Sequence, residues 1–211
     1  MARPVLYDYW RSSAAYRVRI ALALKGVGYD RVPVDLAAGD QRGPAHLARN
    51  PQGAVPVLDI DGLRLTQSLA ILDYLDETRP TPPLLPPDAA GRARVRAVAL
   101  AIACEIHPLS NLATLTRIEA LAGPDARAAW NRDNLLRGLT AVESLLADGP
   151  DTRFCHGDTP GYADCVLIPQ LYNARRWQVD IAHLPRITAI ETAAAALADI
   201  ASAHPDAVRP V

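Results

Sequence analysis

Residues 80–88 read Pro-Thr-Pro-Pro-Leu-Leu-Pro-Pro-Asp, five prolines in nine positions. Each proline fixes its own φ and removes a backbone donor, so no helix runs through this stretch, which is stiff and extended. It separates two kinds of sequence. Ahead of it, short β-branched and aromatic runs alternate with helical patterns: Pro4–Trp10, an arginine-bearing helix carrying Val18, Ala21, Leu22 and Leu24, then Tyr29–Leu36. Pro33 inside that second strand points to an edge position or an irregularity. A short helix follows around Pro44–Arg49. Val55–Leu65 then reads as a hairpin turning at Asp61-Gly62, and Ser68–Arg79 as an amphipathic helix with Leu69, Leu72 and Leu75 inward. The order is β-α-β-α-β-β-α. Behind the prolines the chain is rich in Ala, Leu and Arg. Helical periods cover about 88–120, 125–147, 162–177 and 187–203, with breaks at Gly123-Pro124, Gly149-Pro150 and Leu184-Pro185. The reading is an α/β domain over 1–80, a linker over 81–87 and an all-helical domain over 88–211.

At 211 residues, half of them hydrophobic and 21% charged, the chain has the makings of a globular protein with a sizeable core. Lys+Arg is 22 against 23 Asp+Glu, which is no footprint of a nucleic-acid binder. No apolar run reaches the ~18 residues that span a bilayer. The N-terminus lacks the charged, apolar and cleavage regions of a signal peptide, so no membrane partner is expected. Cys104, Cys155 and Cys165 are odd in number and form no CxxC, which argues against a disulfide framework or a metal site and for a cytoplasmic location. Cys104 and Cys165 read as apolar core rather than nucleophiles.

Ser12 and Ser13 stand just ahead of the first helix, with Arg11 beside them. A serine there ordinarily caps the helix. The same place also suits an anion, because free N–H groups and the positive end of the helix dipole favour it, and a hydroxyl can donate to a sulfur. No cysteine lies nearby, so the sulfur would belong to a ligand. Two other stretches bear on the choice. In Asn50–Leu58, Val55-Pro56 precedes a strand; a cis bond there would turn the Val55 backbone outward to pair with an extended peptide, whereas a trans loop proline would not. In Leu65–Leu72, Gln67 and Ser68 open the third helix, either as caps or as holders of a ligand carboxylate. His107 and Asn111 are four apart, the spacing of one helix face, although Pro108 between them favours a kink.

Taken together, the stretches Trp10–Gly26, Asn50–Leu58, Leu65–Leu75, Cys104–Leu112, Gly157–Gln170 and Ala174–Asp180 resemble the zeta-class glutathione transferases, the group that includes maleylacetoacetate isomerase. The resemblance implies a thioredoxin-like domain with a cis-proline, a helical domain and a homodimer. It implies that Val55, next to cis-Pro56, pairs with the cysteinyl part of glutathione. Gln67 and Ser68, with Gln52 nearby, would hold its γ-glutamyl carboxylate. Ser12 matches the thiolate-stabilising serine and Ser13 follows it, Arg176 matches an arginine that binds the substrate carboxylate, and His107 and Asn111 line the glutathione cleft. Arg175, beside Arg176, reads as a surface arginine.

The chain departs from the family at two places. Ala14 replaces the usual cysteine of Ser-Ser-Cys. Gly161 replaces the Ser or Thr that usually stands three residues before Asp164, losing a reciprocal capping box at a cost of a few tenths of a kcal/mol.

The implied chemistry is glutathione-dependent cis–trans isomerisation of a maleyl-type oxo-dicarboxylic acid. A thiolate adds to the cis double bond, the bond turns, and the thiolate leaves. Maleylacetoacetate is the first expected substrate, in aromatic amino-acid breakdown, and maleylpyruvate the alternative. A general glutathione transferase or dehalogenase, and a non-catalytic binding module of the same fold, are the other readings.

Overall fold

The computed structural model describes residues 2–210; Met1 and Val211, the outermost positions of the two domains read above, lie outside it. The elements are β1 (Val5–Asp8), α1 (Ser13–Leu24), β2 (Asp30–Pro33), α2 (Pro44–Leu47), β3 (Val57–Ile60), β4 (Leu63–Thr66) and α3 (Ser68–Thr78). After them come α4 (Ala89–Leu100), α5 (Leu112–Ala147), α6 (Tyr162–Arg176), α7 (Pro185–Ala195) and α8 (Ala198–Ser202). They fall into two compact units. One holds the chain up to Leu84 together with the segment from Leu197 onward; the other runs Leu85–Ala196.

In the first unit the sheet order is β2-β1-β3-β4, with β1–β2 parallel and the other pairs antiparallel. The mixed sheet follows from the connections: α1 crosses over between β1 and β2, whereas β3 and β4 turn directly through Asp61 and Gly62, at φ 53° and 81°. Both turn residues need positive φ, which is why Asp-Gly occupies the turn. Pro33 closes β2, an outer strand, where its missing N–H costs no ladder bond. The core is built from Leu6, Val18, Leu22, Val57, Leu58, Ile71, Leu72 and Leu75, all at 0% exposure. Each such burial is worth roughly 1.5–3 kcal/mol. On α3 the inward set is Ile71, Leu72 and Leu75; Leu69, expected inward, is only half-buried.

Most of α1 is buried, yet it carries Arg17 and Arg19, 2% and 0% exposed. A buried guanidinium needs partners. Arg19 Nη1 donates to Oδ2 of the fully buried Asp8 at 2.8 Å, and Arg31 Nη2 donates to Asp8 Oδ1 at 2.8 Å. Two further donors of these arginines tie down the segment from Leu197 onward. Arg19 Nε reaches the carbonyl of Ala203 at 3.0 Å, and Arg31 Nη1 that of Val208 at 2.8 Å. These bonds, and the packing of α8 on α1, are why the chain from Leu197 belongs to the first unit.

The second unit is helical throughout. α6 lies at its centre, with every residue from Tyr162 to Leu171 buried. α5 is kinked at Gly123 (φ 87°, ψ 173°), a backbone state that a side chain would resist, and Pro124 restarts the helix. The helix expected over 88–120 is interrupted. After α4 the chain winds through a π-helical turn, Ala101–Ile106, and a 3-10 turn, Pro108–Ser110, before α5 begins. The wider π turn shifts residue directions, and Cys104 faces solvent instead of the core it was expected to join; Cys165 is buried as expected. No single helix among the described residues is long and apolar enough to cross a membrane.

Candidate active site

The first unit presents two helix starts. Tyr9–Ser12 forms a hydrogen-bonded turn, Ser12 N–H to Tyr9 O at 2.8 Å, that delivers the chain into α1. Ser12 is the N-cap: its backbone is extended (φ −67°, ψ 119°) and its Oγ accepts from Ala15 N–H at 3.2 Å. A hydroxyl that accepts in this way keeps its own proton to donate outward. Ser12 is half-buried and Ser13 buried, and no acidic residue occupies the first turn. Ala14 is half-buried beside them. The guanidinium of Arg11 lies 4.8 Å from the Trp10 ring centre and donates to Tyr9 Oη at 3.0 Å.

The second start is that of α3. The Val55-Pro56 bond is cis. The loop before it is braced by Asn50 Nδ2 donating to Ala54 O at 2.8 Å, with His46 Nε2 on the same carbonyl at 3.0 Å. Among the described residues no hydrogen bond is made by the backbone of Val55, which stands in a bend two residues ahead of β3. Gln67 is held at φ 66°, ψ 113°, a conformation a non-glycine residue adopts only under constraint. Its Nε2 donates to Gln52 Oε1 at 2.7 Å. Ser68, 6% exposed, is the first residue of α3, and its Oγ accepts from Arg17 Nη1 at 3.2 Å. Gln52, Gln67 and Ser68 are therefore gathered at one positive helix end. Arg17 was not singled out in the sequence; its signal was a guanidinium set into an otherwise apolar helix stripe.

In the second unit the expected pairing of His107 and Asn111 on one helix face does not occur. Pro108 cannot continue the helix, so His107 ends the π turn while Asn111 is extended (φ −74°, ψ 160°) and caps α5, its Oδ1 accepting from Thr114 N–H at 2.9 Å. The carbonyls freed by this break are satisfied from α5. Asn134 Nδ2 donates to Ile106 O at 2.9 Å and Ser110 Oγ at 2.8 Å, Trp130 Nε1 to Leu109 O at 3.0 Å, and Thr114 Oγ1 to Pro108 O at 2.8 Å. At the end of α6 two neighbouring arginines differ. Arg175 is engaged by Glu191, with Nη2–Oε2 at 2.6 Å, and that bond raises its pKa. Arg176 is exposed and lies 6.0 Å from the Tyr172 ring centre.

The start of α6 retains half of its capping box. Gly161 has no side chain to offer, but Asp164 Oδ2 still accepts from Gly161 N–H at 2.9 Å, and its Oδ1 accepts from Cys155 N–H at 3.0 Å. Burial outweighs these two bonds and raises the pKa of this carboxyl.

Residues 4–77 match the glutathione S-transferase N-terminal domain model and residues 113–206 the corresponding C-terminal domain model. A structure described as a zeta-class bacterial glutathione S-transferase, maleylpyruvate isomerase, superposes with a TM-score of 0.94 at 43% identity, covering 97% of this chain and 98% of that one. The chain belongs to the glutathione S-transferase family, in its zeta class. Among relatives of this transferase, maleylacetoacetate isomerase of Rhizobium meliloti is 54% identical, over 98% of both chains. Maleylpyruvate isomerase of Ralstonia sp is 44% identical, over 96% of this chain and 97% of the relative. Maleylacetoacetate isomerase of Anaeromyxobacter dehalogenans, solved with glutathione in its active site, superposes with a TM-score of 0.89 at 46% identity, over 98% of this chain and 97% of that one.

Proposed function

We propose that this transferase uses glutathione to convert maleylacetoacetate into fumarylacetoacetate, in tyrosine and phenylalanine breakdown. The observation that carries the reading is the start of α1: a helix end with no acid of its own, capped by a hydroxyl that still has a proton to give. Relatives named maleylacetoacetate isomerase, at 54% and 46% identity, supply the substrate class. Maleylpyruvate is the second reading, favoured by the 0.94 TM-score against an isomerase of that acid.

The residues present fit glutathione. The unbonded Val55 backbone offers both a donor and an acceptor to its cysteinyl unit. Gln67, Ser68 and the start of α3, with Gln52 bonded to Gln67 and Arg17 bonded to Ser68, offer a positive, donor-rich end for its γ-glutamyl carboxylate. Held there, glutathione supplies a sulfur nucleophile that adds reversibly to the cis double bond and is returned unchanged. The rest is done by side chains. A thiol with a resting pKa near 8.5 needs about 2 kcal/mol of help to be half ionised at neutral pH. The Ser12 hydroxyl and the dipole of α1 provide help of that size, and Ser13 forms the first turn beneath. Arg11 adds a positive charge beside the developing enolate. Arg176 serves as the fork for a substrate carboxylate. His107 and Asn111 are proposed as further glutathione contacts. Three free cysteines accord with a reducing cytoplasm, and we assign the working state as a homodimer.

The test is turnover of both maleyl acids, with and without glutathione, by wild type, Ser12→Ala and Arg176→Ala. Ser12→Ala is expected to lose kcat by about a hundredfold, and Arg176→Ala to raise KM for the acid by about tenfold. Unchanged kinetics in both variants would overturn the assignment. A conjugate that accumulates would make the protein a transferase or dehalogenase, and no glutathione binding at millimolar concentration would make it a binding module.

A further inference from the structure

The Trp10 indole carries two guanidiniums. Arg11 Cζ lies 4.8 Å from its ring centre and Arg209 Cζ 5.1 Å from it, so the two cations are separated by no more than the sum of those distances. Both are cation–π contacts, which hold a guanidinium in place without neutralising it. Among the described residues no carboxylate forms a salt bridge with either arginine. Two like charges on one ring repel, and an anion that reaches both is favoured. The backbone leading to Arg209 is tied to the fold. The residue before it, Val208, is bonded through its carbonyl to Arg31 at 2.8 Å, and Arg19 holds Ala203 at 3.0 Å. Farther back, the His204 ring meets Tyr16 of α1 edge-on at 6.0 Å. The chain end is thus strapped to the first unit so that its last arginine faces the turn, Tyr9–Ser12, that opens α1.

We infer that Arg209 is a specificity-determining residue: with Arg11, across Trp10, it forms a dianion-selective clamp that takes a carboxylate of the substrate beside Ser12. The substrate class rests on the function proposed above; the clamp itself is tested without it. Maleate and fumarate are the probes, titrated calorimetrically into wild type, Arg209→Ala and Arg209→Lys, with glutathione titrated as the control. Arg209→Ala is expected to weaken both dianions roughly fivefold, about 1 kcal/mol, the scale of a solvent-exposed charge contact. Arg209→Lys should recover part of the loss, and glutathione should bind all three proteins equally. Equal maleate affinity in wild type and Arg209→Ala, or no maleate binding by wild type, would overturn the clamp. So would a parallel loss of glutathione affinity, which would make Arg209 a structural tie. If wild type binds maleate through Arg209 and turns over neither maleyl acid, the clamp stands and the isomerase reading falls.

Discussion

Helices α1 and α6 pose the same electrostatic problem and solve it in opposite ways. Both are largely buried, and both present a positive N-terminal end. The end of α6 is closed by the protein's own carboxyl group, Asp164, 1% exposed and bonded to the N–H groups of Gly161 and Cys155. The end of α1 has no acid in its first turn and is capped by the half-buried Ser12. An internal carboxylate makes a helix start part of the scaffold. A hydroxyl satisfies the helix yet leaves room for the charge of a guest.

The comparison is broken most sharply at α6. Asp164→Ala would strand two N–H groups, at least one of them deep in the unit, at about 1–3 kcal/mol each. An overall loss of about 3 kcal/mol is expected, read as a fall of roughly 10 °C in Tm. A fall of under two degrees would mean that the carboxylate is incidental to the scaffold. Placing an internal anion at α1 is the reciprocal change. Ser12→Asp should keep the cap, and with it Tm, because aspartate caps at least as well as serine. It should cost about a hundredfold or more in turnover, because the new charge repels a sulfur anion. The pair Ser12→Ala and Ser12→Asp then separates capping from catalysis. If Ser12→Asp retained turnover, the start of α1 would not receive an anion at all.

These two helix starts were not equally legible in the sequence. The βαβαββα order, the hairpin at Asp61-Gly62, the outer position of β2 and the kink at Gly123-Pro124 could be read because each depends on local residues whose φ or missing N–H leaves few alternatives. Ser12, Gln67 and Ser68 could be placed at helix starts for the same reason. What could not be read depends on distant partners. The Arg19–Asp8–Arg31 group, which holds the chain end on the first unit, joins residues up to 184 positions apart. The break at Pro108 was foreseeable, but not that Asn134 and Trp130 would satisfy the carbonyls it frees. That compensation allows Asn111 to be a cap rather than the helical neighbour of His107. Asp164 could be named from its position, but its burial, and so its charge state, belongs to the packing around α6.

That charge state gives the smallest expected effect. Burial raises the Asp164 pKa above the ordinary carboxylate value, against the opposing pull of the Cys155 and Gly161 N–H groups. The native state therefore holds this proton more tightly than the unfolded chain does. Stability contributed by the protonated form is fully present below the unfolded pKa, near 3.8. It is lost as pH rises through the raised native value, and the curve is flat above it. The slope is at most one proton, about 1.4 kcal/mol per pH unit, and is confined to that window. Other carboxylates pull the other way: the Arg64 partnership lowers the Asp59 pKa and the Arg79 partnership that of Asp61. The effect is therefore isolated as a difference, wild type minus Asp164→Asn, in urea unfolding between pH 4 and pH 7. That difference should diminish as pH rises. A difference that grew with pH would mean the two N–H bonds outweigh burial, making Asp164 an ordinary low-pKa cap, and α6 would then resemble a helix start that had simply captured its guest.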